Sequence, residues 1–107
     1  MNTRRVKSLA NYLSMEITPR IINRTLSLPE AMYSLILAIE FLLQRTLPKD
    51  AFENEFEQAK DLAIMINDTV NQYIKQVDGT SLAKIMLSMT IMAEAIMEGE
   101  MGLDEDT

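Results

Sequence analysis

Residues 49–77 read KDAFENEFEQAKDLAIMINDTVNQYIKQV, and their spacing decides the fold. Phe52, Phe56, Ala59, Ala63, Ile66, Val70, Tyr73 and Val77 alternate steps of four and three without a miss. That spacing lines all of them along one stripe of a helix, as in a coiled-coil-like seam. Leu62 and Ile74 widen the stripe, which suits a helix inside a bundle better than a free zipper. Pro48 opens the helix and Asp78-Gly79 closes it, because proline fits a first turn and glycine fits a left-handed stop. About 28 residues at 1.5 Å each make a rod of about 42 Å. A compact domain of this length is roughly 35 Å across. Tyr73, Ile74 and Val77 at the far end therefore need a partner surface, and a second copy of the chain is expected to supply it.

Upstream of this stretch, Ser27-Leu28-Pro29-Glu30 has the form of a capping box and opens a helix that ends near Thr46. Ala31, Met32, Leu35, Ile36, Leu37, Ala38, Ile39, Phe41, Leu42 and Leu43 make this helix apolar on nearly every side, the pattern of a central helix surrounded by others. Glu40 marks its one solvent edge. Further upstream, Thr3 is expected to cap a first helix over about residues 4–15. Thr18-Pro19 then reads as a cap and first-turn proline of a second short helix reaching about Leu26. Downstream, Thr80-Ser81 caps a fifth helix from Leu82 to about Glu98, with Gly99 ending it. The chain shows no alternating strand pattern.

These readings give an all-α, single-domain helical bundle of four to five helices, with one long helix at about 49–77, packed in a homo-oligomer. The helical domain covers residues 1–99. Residues 100–107 are expected to form an acidic, disordered tail.

Composition narrows the chemistry. The 107 residues include no Cys and no His. Thiolate and imidazole nucleophiles, bases and metal ligands are therefore ruled out, and the absence of Cys fits a reducing cytoplasm. No apolar run reaches the ~20 residues that span a bilayer, so no membrane partner is expected. The net charge of −6 is unevenly spread. Arg4, Arg5, Lys7, Arg20 and Arg24 face the single acid Glu16 in the first 24 residues, while residues 94–107 hold six acids and no base. Opposite charge at the two ends can order copies of the chain or recruit a partner.

Several constellations bear on function. Ser81 and Lys84 have S-x-x-K spacing, but the chain lacks the further motifs such a nucleophile requires, and Ser81 reads as a cap. Glu53, Glu57 and Asp61 line one face of the long helix. With Glu94 and Glu98 opposite, they could hold Mg²⁺ in a nucleotide phosphohydrolase. Arg4, Arg5, Lys7, Arg20 and Arg24 are candidate phosphate or nucleic-acid contacts, and two short helices ahead of a buried one allow a helix-turn-helix. The acidic tail competes for those bases. On the fifth helix, Leu82, Ile85, Met86, Met89, Met92, Ala93, Ile96 and Met97 form the core face. Leu87 and Ile91 point away among Lys84, Glu94 and Glu98. Five of the nine methionines fall between Met86 and Met101, and flexible thioether chains suit adaptable contacts.

The function expected from these features is a non-enzymatic, homo-oligomeric protein-protein interaction module, needing no cofactor. It would act as a regulator, inhibitor or assembly factor, of the kind small phage genes encode, on a protein partner not identified by the sequence. The oligomer or partner interface is expected at Ile66, Val70, Tyr73, Ile74, Val77, Leu87 and Ile91. A nucleic-acid-binding regulator working through the N-terminal bases is the first alternative, and the Mg-dependent phosphohydrolase the second.

Overall fold

The computed structural model describes residues 2–101, and all regular structure among them is helical: α1 (Thr3–Ile22), α2 (Leu28–Thr46), α3 (Lys49–Gln76) and α4 (Leu82–Met101). The described residues divide into two compact units, 2–48 and 49–101. Residues 102–107, most of the expected tail, lie outside the described residues.

α1 is one helix where the sequence predicts two. Its N-cap is Asn2 rather than Thr3, with the Asn2 side chain accepting from the Arg5 amide at 3.1 Å. Pro19 sits inside it. The helix tolerates this because the ring removes a single amide donor only one turn before the end. The Met15 carbonyl left without that donor lies on an exposed stretch, open to water. Thr18 does not cap a new helix; its hydroxyl donates back to the Ser14 carbonyl at 2.7 Å.

The end of α1 is a complete Schellman motif. Arg24 adopts a left-handed φ of 65°, its amide bonds the Ile21 carbonyl, and the Thr25 amide bonds the Arg20 carbonyl. Asn23 holds the same turn, accepting from the Thr25 amide and hydroxyl. Two residues later the expected capping box is complete. Ser27 Oγ accepts from the Glu30 amide at 3.2 Å and the Ser27 amide donates to Glu30 Oε1 at 2.8 Å. The Ser27 amide bonded to it, and after it the nearby Ser27 hydroxyl, hold the Glu30 carboxyl below its usual pKa.

α2 is not enclosed within the chain. Ala31 is buried, and Met32 and Leu37 are half-buried, but Ile39 and Leu42 are each 60% exposed and Phe41 is exposed as well. Its all-round apolar surface exceeds what one neighbouring helix can cover. Glu40 is exposed, as expected of a solvent edge.

In the second unit, α3 runs 28 residues, close to the predicted span. Gly79, at φ 75°, supplies the left-handed residue of the α3–α4 turn. The Thr80 hydroxyl donates to the Val77 carbonyl at 3.1 Å, and Ser81 Oγ accepts from the Lys84 amide at 3.1 Å, capping α4. α4 passes through Gly99 to Met101 instead of ending at Glu98. Glycine costs a helix about 1 kcal/mol against alanine and does not by itself stop one.

Candidate functional site

α3 and α4 border an open groove of about 980 Å³. The α3 wall carries Ile66, Val70 and Tyr73, and the α4 wall carries Leu87 and Ile91. Five of the seven residues predicted for the interface are thus brought together on one surface. Ile74 and Val77 do not line it: Ile74 is exposed and Val77 half-buried.

Leu62 and Met65 extend the α3 wall, and Ile85, Met89 and Met92 the α4 wall. The sequence reading assigned these last three to the protomer core. Ile85 and Met89 are only half-buried, and Met92 is exposed. No side chain described in this unit is buried. The two apolar faces expected on α4 therefore differ in degree, Leu87 and Ile91 being the more open at 62% and 63% exposed.

Three of the hydroxyls that line the groove are already engaged by their own backbone; the exposed Tyr73 phenol is not among them. Thr69 donates to the Met65 carbonyl at 3.0 Å, Ser88 to the Lys84 carbonyl at 2.7 Å, and Thr80 to the Val77 carbonyl. A hydroxyl bonded to its own turn does not need a ligand, so the walls present carbon to an occupant. Charge is sparse there. Between Leu62 and Val77 only Asp68 and Lys75 are charged, and neither lines the groove; Lys84 is its one charged wall residue. Depletion of charge around an apolar centre is the compositional mark of an interface core. That depletion was readable in the sequence and would have located Met65, which the seam alone does not.

The other candidate sites are not assembled in this way. Glu57 pairs with Lys60 at 3.1 Å, and Lys60 also lies 5.0 Å above the Phe56 ring, so the acidic stripe is an exposed helix face with Glu57 paired along it. Among the described residues no group of three or more acids is placed to hold a metal ion. Arg4 and Arg5 share a shallow depression with Tyr12 near the start of α1. Arg20 lies a whole helix away, about 24 Å at 1.5 Å per residue. Arg24 sits off the helix in the Schellman turn, so it is not stacked one turn above Arg20 as its spacing predicts. With α1 continuous, the two short helices of the expected helix-turn-helix are absent.

No described helix is long and apolar enough to cross a membrane. Comparison with protein-family models, with curated proteins and with solved structures finds no match to the chain.

Proposed function

We propose that the protein is a non-enzymatic helical interaction module. It works in the cytoplasm as a homo-oligomer and, in that form, engages another protein as a regulator, inhibitor or assembly factor. The observation that carries this reading is the α3–α4 groove, open and apolar, with the Thr69, Thr80 and Ser88 hydroxyls bonded to their own backbone. A helical pair with no buried side chain gains little hydrophobic free energy against the cost of ordering its backbone, roughly 1–2 kcal/mol per residue. Covering the groove with another chain supplies the missing burial.

The test is the mass in solution. Light scattering at micromolar concentration is expected to give a particle heavier than the 12.2 kDa chain. Leu87→Ser combined with Ile91→Ser is expected to reduce that mass, with any loss of helical circular dichroism recovered as protein concentration is raised. A helical wild-type protein that stays monomeric at high concentration contradicts the proposal.

A further inference from the structure

The exposed face of α4 is complementary to itself. Lys84, Leu87, Ile91 and Glu94 follow at steps of three, four and three, which confines them to an arc of about 80° at 100° per residue. All four are exposed, and the first three line the groove. Among the described residues the only salt bridge is Lys60–Glu57, so Lys84 and Glu94 have no ionic partner within the described chain.

From Lys84 to Glu94 the stripe reads base, apolar, apolar, acid, and the exposed Glu98 continues the same arc with a second acid. Against an identical helix running the other way, centred on residue 89, Leu87 meets Ile91 and Lys84 meets Glu94. The two-fold axis then repeats each pair. A parallel copy would set base on base and acid on acid, which repels. The residues flanking the stripe are Ala83, Ser88, Thr90 and Ala95, all small. The Ser88 hydroxyl donates to the Lys84 carbonyl and the Thr90 hydroxyl to the Met86 carbonyl at 2.8 Å, so neither is left wanting a partner when the helices close up. Small flanks allow an interaxial distance near the short end of the usual range, about 8 Å.

We infer that the occupant of the groove is a second copy of this chain. α4 of each copy lies antiparallel along the α3–α4 groove of the other, and Lys84 of each pairs with Glu94 of the other. This rests on the oligomeric reading above and adds its register. Leu62, Met65 and Ile66 on the α3 wall widen the contact beyond the two α4 helices.

Charge reversal tests the register. Lys84→Glu and Glu94→Lys each turn both ion pairs into like-charge pairs, and each is expected to raise the dimer dissociation constant about tenfold or more. Combined in one chain, the two changes are expected to restore dimerisation. A mixture of the two single variants, one of them isotope-labelled, is expected to form mixed dimers by native mass spectrometry in preference to either homodimer. Both positions are exposed, so circular dichroism of each variant should match wild type at concentrations high enough to assemble it, which separates weakened assembly from a damaged helix. A monomeric wild type overturns the oligomeric reading and the register together. A wild type that assembles while the single variants assemble equally well, or while the double variant fails to recover, overturns the register alone and leaves the oligomeric reading standing.

Discussion

In the α1–α2 pair, each chain reversal and helix start is settled by groups that are neighbours in sequence. Asn2 caps α1, the Arg24 turn closes it, and Ser27 and Glu30 open α2. The α3–α4 pair has comparable local bonds at Thr80 and Ser81, yet it buries no described side chain, where the first pair buries Thr3 and Ala31, and a groove opens between residues 62–73 and 80–92. Local hydrogen bonding thus fixes where helices begin and end in both pairs. It does not provide the apolar burial that stabilises a packed structure, which is the dominant favourable term in folding. Changes in the α1–α2 turns should therefore act on a single chain and be independent of protein concentration. Changes in the α3–α4 groove should act through assembly and depend on concentration.

The change expected to strain that contrast most is Ile66→Asp. Ile66 is half-buried in the groove wall, and in the assembled protein its replacement leaves an unpaired charge against carbon. The expected loss is about 3–5 kcal/mol, seen as dissociation in sedimentation runs. Met89→Ala comes next and sharpens the comparison. If assembly completes the burial of Met89, its truncation costs at least about 2 kcal/mol. In a solitary chain, where Met89 stays half-exposed, a denaturation midpoint would hardly move. Measuring that midpoint across a wide range of protein concentration distinguishes the two cases.

This division also explains what was legible in the sequence. The capping box at Ser27, the span of α3, the cap at Ser81 and the left-handed Gly79 depend on residues within four positions of one another, and local pattern reads them well. Pro19 misled because proline in a last turn looks, in sequence, like proline in a first turn. Only the continuing backbone separates the two. Arg24 gave no signal, since the left-handed position of a Schellman turn usually holds Gly or Asn. The groove was legible in part: the alternating seam pointed to Ile66, Val70 and Tyr73, and the outward face of the last helix to Leu87 and Ile91. What the sequence missed is that Ile85, Met89 and Met92 are not sealed away within one chain. Periodicity identifies an apolar face and is silent on which chain covers it.

Smaller effects test the concentration-independent side. Ser27→Ala removes the acceptor for the Glu30 amide and should destabilise α2 by about 1 kcal/mol. Arg24→Gly should stabilise by a similar amount, about 1 kcal/mol, because a left-handed φ of 65° is unfavourable for a residue with a Cβ and free for glycine. Thermal melts should show both shifts unchanged at any protein concentration. A shift that grows with dilution would mean that the α1–α2 turns are also held by assembly.

The smallest expected effect is a pH dependence at the same cap. The Glu30 carboxylate accepts from the Ser27 amide at 2.8 Å, and this bond lowers its pKa in the folded chain. A depressed folded pKa means that the ionised form is the one favoured by folding. Its contribution is therefore complete above the unfolded pKa of 4.5 and is lost as pH falls through the lower folded value. Glu30 is fully exposed, so screening keeps the effect small and salt should reduce it further. Glu30→Gln keeps a side-chain oxygen in place to accept from the Ser27 amide but has no proton to gain. Melting temperatures of the wild type and of this variant should accordingly converge as pH drops below 4.5 and separate above it, with the wild type the more stable. Parallel pH curves for the two proteins would mean that the capping box is held by geometry alone and that the charge on Glu30 contributes nothing to it.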